Sequence, residues 1–210
     1  MIHKLSLLIA TSNRGKQREY QALLHDLPFM LRFPHETGIA LEVAETGHTY
    51  AQNAALKATA WAEATGWLVL ADDSGLEVEA LNGAPGLYSA RYAPGPHPTD
   101  ADRRAHLLAN LEGKPRPWKA RFVCVIAVAT PEGVLHFAEG VCPGEVIPEA
   151  RGTHGFGYDP IFWLPERGLT MAELAPEEKN RLSHRARAAR AIRPILLALA
   201  AQTHPTKKPR

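Results

Sequence analysis

Hydrophobic positions along this chain fall into two patterns. Short, mainly apolar runs, bounded by glycine, proline or polar residues, occur at 5–10, 67–71 and 120–130. Between them lie stretches in which apolar residues recur three and four apart, as in Tyr50, Ala54, Ala58 and Trp61. The first pattern predicts buried strands and the second predicts helices. Strands apolar on both faces belong to sheets covered on both sides, so the pattern predicts an α/β fold.

In order, Leu5–Ala10 reads as a strand that enters the polar loop Thr11-Ser12-Asn13-Arg14-Gly15-Lys16, followed by a helix to about Leu24. Residues 28–42 hold a short strand and a loop. Thr49 and Gln52 make a capping box for a helix from about Tyr50 to Thr65, with Gly66 as its C-cap. The run 67–71 ends in Asp72-Asp73-Ser74-Gly75, and 76–81 reads as a further extended piece before the turn Asn82–Gly86. Thr99 or Asp100 caps a helix to about Leu111. The strand at 120–130 turns at Pro131-Glu132-Gly133 into a hairpin partner, Val134–Cys142, with Val146-Ile147 as a third piece. Thr170 with Glu173 predicts a short helix, Pro176 starts another, and Ser183 caps a last one through Ala201. Pro194 inside it predicts a kink or an early end.

Composition narrows the class. With 210 residues, 45% of them hydrophobic, the chain can bury a core without staples. A formal net charge of +2 is too small for a general nucleic-acid binder. No apolar run has the length of a membrane span or signal peptide. The 2 cysteines, Cys124 and Cys142, lie in strand-like segments and read as free buried thiols, as in a cytoplasmic protein.

Candidate chemistry sits at the ends of these elements. A strand, a polar glycine-bearing loop and a helix form an arrangement suited to a phosphate, with loop amides and Lys16 facing the anion; a plain βα turn fits the same residues. Adjacent side chains of a strand point to opposite faces, so Asp72 and Asp73 take different jobs, one facing a cleft as metal ligand or base. A strand-ending turn is the alternative. Lys57, four residues from Asn53, is either a solvated charge or a second phosphate contact. Gly152–Pro160 carries Phe156 and Tyr158 on a glycine-rich loop, either a surface turn or a platform for a planar base. Arg185, Arg187, Arg190 and Arg193 make the last helix basic, while His184 and Arg185 at its start can face an anion or a carbonyl oxygen. Together these groups describe a nucleoside triphosphate held with Mg²⁺, which prefers one or two carboxylates with phosphate oxygens and water.

The chain resembles the inosine/xanthosine triphosphate pyrophosphatase family in six segments that span nearly its whole length in order: Thr11–Lys16; Glu45-Thr46-Gly47 with Asn53 to Ala58; Ala71–Leu76; Gly83–Gly86 with Tyr88–Tyr92; Gly155–Pro160; and Glu178-Lys179 with Ser183-His184-Arg185. The resemblance implies an elongated mixed β-sheet flanked by helices, with two lobes over residues 1–202, the active-site cleft between them, and a flexible basic tail at 203–210. It implies hydrolysis of ITP, dITP and XTP to monophosphate and pyrophosphate with Mg²⁺, by a homodimer acting on free nucleotides, with neither nucleic acid nor membrane as partner. It assigns Thr11, Ser12, Asn13, Arg14, Gly15, Lys16 and Lys57 to the phosphates, and Glu45 and Asp73 to the metal. It makes Asp73 the residue that activates water and Ser74 a contact to the nucleotide. It implies that Phe156, Gly157, Tyr158 and Asp159 form the base loop with Phe156 as stacking ring, and that Lys179, His184 and Arg185 read the base edge. Ser12 departs from the glycine frequent there in the family. A nucleic-acid binder using the basic last helix and a nucleotide sensor without turnover are the other classes that the residues allow.

Overall fold

The computed structural model describes residues 5–203; of the tail expected at 203–210, Thr203 ends the last helix and 204–210 lie outside the described residues. Its sheet has seven strands: β1 (Leu5–Ile9), β2 (Phe29–Arg32), β3 (Leu68–Val78), β4 (Trp118–Ala129), β5 (Leu135–Val146), β6 (Phe162–Leu164) and β7 (Leu169–Thr170), in the order β2-β1-β3-β4-β5-β6-β7. β1 runs parallel to β2 and β3, and the pairs from β3 onward are antiparallel. The helices are α1 (Arg14–Leu24), α2 (Tyr50–Thr65), α3 (Asp100–Leu111), α4 (Pro176–Leu182) and α5 (His184–Thr203). The mixed α/β sheet flanked by helices is the architecture expected from the sequence.

β3 organises it. β1 pairs with β3 only from Leu7↔Leu68 to Ile9↔Leu70, whereas β4 pairs with it from Val69↔Ala129 to Val78↔Ala120. The strand therefore continues beyond Asp72 and Asp73, correcting the expectation that they end it. An unbroken antiparallel partner keeps the backbone extended where sequence alone shows turn formers. The acids sit just past the point where β1 stops, on a stretch of β3 paired on its β4 side.

The two faces of β3 carry separate cores. Leu70, with Val128 opposite it and Ile126 and Cys124 on the same face of β4, packs under Tyr20 and Leu24 of α1 and Ile192 and Leu196 of α5. Val69, Ala71, Ala127 and Ala129 pack under Ala54, Ala58 and Trp61 of α2. Farther along, Leu76, Val78, Trp118 and Phe122 join Leu107 and Leu111 of α3 and Phe162. Cys124 and Cys142 are both buried free thiols. Among the described residues no helix is long and apolar enough to cross a membrane.

Local signals mostly act where they were read. Thr49 Oγ1 accepts the Gln52 amide at 3.1 Å, and Gly66 at φ 66° closes α2 with its amide on the Ala62 carbonyl. Val146 closes β5 and is no separate piece. Two further expectations fail. Thr170 donates its amide to Glu173 Oε2 at 2.7 Å, but no helix follows. The Ala172 carbonyl there accepts from the His154 amide, and the Met171 amide is taken by Phe162, so neighbouring segments claim the groups a helix would use. Pro194 neither ends α5 nor shortens it, because Ile192, Leu196 and Ala200 on either side are buried in the core, and that packing outweighs a lost helical bond.

β5 meets α5 at Gly140, where a Cβ would stand 2.2 Å from the His184 carbonyl oxygen and 2.3 Å from the Ala188 nitrogen. Backbone atoms cannot step aside as a flexible side chain does. Gly140→Ala should cost about 2 kcal/mol or more, read in thermal unfolding as a fall in Tm of about 4–8 °C for a chain of this size. An unchanged Tm would contradict this close packing.

Candidate active site

A cavity of about 590 Å³ is lined from both faces of β3. Thr11, Ser12, Asn13 and Lys16 reach it from the β1–α1 loop, Glu45 and Lys57 from the approach to α2 and from α2 itself, and Asp73 and Ser74 from β3. Phe156, Gly157, Tyr158 and Asp159 come from the loop before β6, Lys179 from α4, and His184 and Arg185 from the start of α5. Arg14 and Gly15 are the two expected residues outside this lining. Arg14 is exposed. Gly15 lies beneath Phe156, so close that a Cβ would stand 2.5 Å from the ring.

At the head of α1, Asn13 Oδ1 accepts the amides of Gly15 at 2.8 Å and Lys16 at 3.1 Å. This is an ordinary N-cap. In the free protein the cap holds two of the amides that the loop pattern offers to an anion, and Lys16 supplies the full charge.

Alternation along β3 sends the two acids to different places. Asp72 points to the α1/α5 side and is 2% exposed. Its Oδ2 meets Lys16 Nζ at 2.9 Å and Arg185 Nη2 at 3.1 Å. Burial alone would raise its pKa, but the two cations reverse that and hold the carboxyl well below the usual carboxylate range. Arg185, 1% exposed, also donates to Ser74 Oγ at 3.0 Å and to Glu19 Oε2 at 2.6 Å. Glu19 Oε1 takes Lys179 at 2.7 Å, and Lys179 reaches Asp159 Oδ2 at 2.5 Å. Six alternating charges thus run unbroken from Lys16 to Asp159.

Asp73 points to the α2 side. Asn53 Nδ2 donates to its Oδ2 at 3.0 Å, and Asn53 is itself fixed by accepting the Gly47 amide at 2.8 Å. Asp73 makes no ion pair among the described residues. Burial lifts its carboxyl above the usual range despite Lys57 and the Asn53 bond. Nearby, Glu45 takes Lys57 at 2.5 Å and Arg91 at 3.6 Å. Burial works against its ionisation and Lys57 outweighs that, holding its pKa low. Among the described residues no cluster of three or more His, Cys, Asp and Glu could hold a metal. Mg²⁺ does not need one when phosphate oxygens complete its shell. Two carboxylates lining one cavity, one of them without a cation partner, fit that donor set.

The aromatic loop folds over its own acid. Asp159 Oδ2 accepts the Phe156 amide at 2.8 Å, and Gly155 at φ +76° leaves the space that a Cβ would take from that oxygen. The Phe156 ring has Lys179 Nζ 4.9 Å and the Arg185 guanidinium 5.8 Å from its centroid. His184 stacks on Phe122 at 4.7 Å and 16°. Burial, then Arg185 and Lys179, push its pKa well down, so the imidazole is neutral. Its Nδ1 and Arg185 Nε are buried without a hydrogen-bond partner among the described residues.

Sequence reasoning missed Glu19, which joins Lys179 to Arg185, and Phe122, Asp100 and Arg103 in the lining. Glu19 carried a signal: it stands three residues after Lys16, on the same helical face. Asn53 carried one in its spacing to Lys57. Phe122 gave none, because its partner His184 lies far along the chain.

Residues 7–195 match the model of the Ham1 family. A dITP/XTP pyrophosphatase from Nostoc sp. is 50% identical over 195 residues, covering 92% of this chain and 95% of that protein. One from Geobacillus kaustophilus is 51% identical over 187 residues, 87% of this chain and 89% of that protein. Among solved structures, a HAM1 protein from Coxiella burnetii has a TM-score of 0.84 at 42% identity, covering 92% of this chain and 99% of that one. A nucleoside-triphosphatase / dITP/XTP pyrophosphatase from Mycobacterium abscessus has a TM-score of 0.71 at 41% identity, covering 91% and 100%.

Asp72 gives a pH-dependent prediction. Its folded pKa is depressed, so its stabilisation is complete above the unfolded value of about 3.9 and is lost as pH falls from there toward the folded value. Asp72→Asn, which leaves Lys16 without its carboxylate and Arg185 with Glu19 alone, should cost about 3 kcal/mol near pH 7, and the gap to wild type should narrow below about pH 4. Thermal melts of both proteins from neutral to acid pH measure it. A constant gap would remove Asp72 as the anchor of these cations.

Proposed function

The chain belongs to the Ham1 family, and from that premise we propose that it hydrolyses the non-standard purine nucleotides ITP, dITP and XTP to the monophosphate and pyrophosphate. The observation that carries this reading is a single cavity lined by Lys16, Lys57, Glu45 and Asp73 and also by Phe156, Lys179, His184 and Arg185. One set suits a polyphosphate and the other suits a purine.

In this reading Lys16 and Lys57 exchange part of their pairing with Asp72 and Glu45 for phosphate oxygens. The Thr11–Asn13 loop lies beside them. Asp73 is the general base: Asn53 fixes its orientation, and it forms no ion pair among the described residues that would hold its lone pairs. It takes a proton from the attacking water. The water oxygen bonds to the α-phosphorus, the bond to the bridging oxygen breaks, and pyrophosphate leaves. Glu45 and Asp73 would hold Mg²⁺, which supplies charge neutralisation at the phosphate oxygens and acidifies water.

Selectivity follows from the base end. Hypoxanthine and xanthine carry a 6-keto oxygen, an acceptor, where adenine carries an amino donor. Lys179, Arg185 and loop amides are donors only. Most of these donors already hold Glu19, Asp72, Asp159 or Asp100, but the buried Arg185 Nε has no partner among the described residues; a keto oxygen can accept from it and an amino group cannot, and such sites reject the mismatched partner strongly. Phe156 offers the stacking face. A homodimer in the cytoplasm belongs to the same reading, and the two free thiols support a reducing compartment.

With Mg²⁺, purified protein should turn over ITP, dITP and XTP with kcat/KM at least about a hundredfold above ATP, releasing monophosphate and pyrophosphate, and chelation should stop it. Asp73→Asn should lose about 10²–10⁴ in kcat, the range of a general base, and still bind nucleotide. Diphosphate and orthophosphate as products, or an active Asp73→Asn, would overturn the assignment.

A further inference from the structure

The mechanism gives α3 no part, yet Asp100 and Arg103 at its start line the cavity. Asp100 Oδ2 accepts the Gly157 amide at 2.7 Å, and Arg104 Nη1 donates to the Gly157 carbonyl at 2.7 Å. Both backbone polar groups of this glycine, which sits at φ +64°, are therefore held by one helix end. Arg103 pairs with Asp100 and donates to the carbonyls of Pro98 at 2.6 Å and Ala90 at 3.2 Å. This ties the same helix end to the turn at 86–91 on the other rim. Tyr158 closes the circuit, donating its hydroxyl to the Ser89 carbonyl at 2.9 Å.

Capping does not explain Asp100. The α3 terminus is served by Thr99 and Asp102, whose side chains each accept the other's backbone amide. Asp100 instead reaches across to the aromatic loop. That loop has positive-φ glycines at 155 and 157, on either side of Phe156, and glycine gives an unrestrained chain the widest backbone freedom. A stacking ring between two glycines binds a base well only if the loop is ordered beforehand, because ordering it on binding subtracts from affinity.

We propose that Asp100 and Arg104 form a clip on Gly157 that fixes the aromatic loop before nucleotide arrives, making Asp100 a positioning residue for base stacking. The proposal rests on the nucleotide reading above. Asp100 is ionised in the clip. Burial opposes this, but the Gly157 amide and Arg103 hold its carboxyl below the usual range. A charged acceptor makes the stronger amide bond.

The test compares Asp100→Ala with Asp100→Asn in the full chain by two readouts: hydrogen exchange of the Gly157 amide without nucleotide, and KM and kcat for ITP. Asp100→Ala should speed the exchange about tenfold and raise KM about tenfold, the scale of one hydrogen bond to a charged group, with a much smaller change in kcat. Asp100→Asn keeps a neutral carbonyl oxygen for the amide and should recover part of both, about half on a logarithmic scale. Unchanged exchange in Asp100→Ala overturns the clip. Faster exchange with unchanged KM overturns the positioning role, as does an Asn variant no better than Ala. If Asp100→Ala does not fold, Arg104→Ala cuts the other half of the clip and carries the same expectations. A wild-type protein inactive on ITP would sink the proposed function, while Gly157 exchange would still decide the clip.

Discussion

The buried relay Lys16–Asp72–Arg185–Glu19–Lys179–Asp159 is the constraint that the rest of the structure has to satisfy. Taking charges out of water is costly, and breaking a buried pair strands its partner at about 3–5 kcal/mol. Three carboxylates face three cations, so the relay balances only when all six are in place. Its members come from α1, β3, the loop before β6, α4 and α5. Those five segments must therefore arrive in one register. The relay adds little net stability over an apolar core of the same size. Its effect is on arrangement: a shift of α5 along the sheet would leave Arg185 without Asp72 or Glu19.

This explains why the site was legible in parts. Signals set by neighbours in sequence act where they were read: Gly66 ends α2, Thr99 caps α3, and the polar loop after β1 opens α1 through Asn13. Features decided by a distant partner do not show. β3 runs through two acids, a serine and a glycine because β4 lies alongside. Thr170 and Glu173 carry a helix-start pattern, but the chain around them is bonded to residues 154 and 162. Pro194 carries a helix-stop signal that buried neighbours override. Arg185 reads from sequence as a donor at a helix start, free to meet a ligand. The structure gives it two carboxylates and a hydroxyl, so it orders the site beneath Phe156 as well as lining it. Glu19 looks like any helical surface acid until α4 and α5 fold over it.

β3 also separates two kinds of electrostatics within one strand. On its α1/α5 side the charges cancel internally, ending at Asp159 beneath the aromatic loop. On its α2 side Asp73 and Glu45 face Lys57, with Arg91 at 3.6 Å from Glu45, and Asp73 has no ion-pair partner among the described residues. An added cation is therefore better accommodated on the α2 side than within the balanced relay. A polyphosphate brings several negative charges, and Lys16 and Lys57 approach the cavity from opposite faces of the strand. In the proposed reading the balanced relay orders the base end, while Asp73, without an ion-pair partner among the described residues, lies on the side that would take a cation. One-residue alternation at Asp72 and Asp73 is enough to divide the two roles, because adjacent strand positions cannot share a face. Moving the pair by one position would put the unpaired acid into the relay and leave Asn53 facing the wrong side chain.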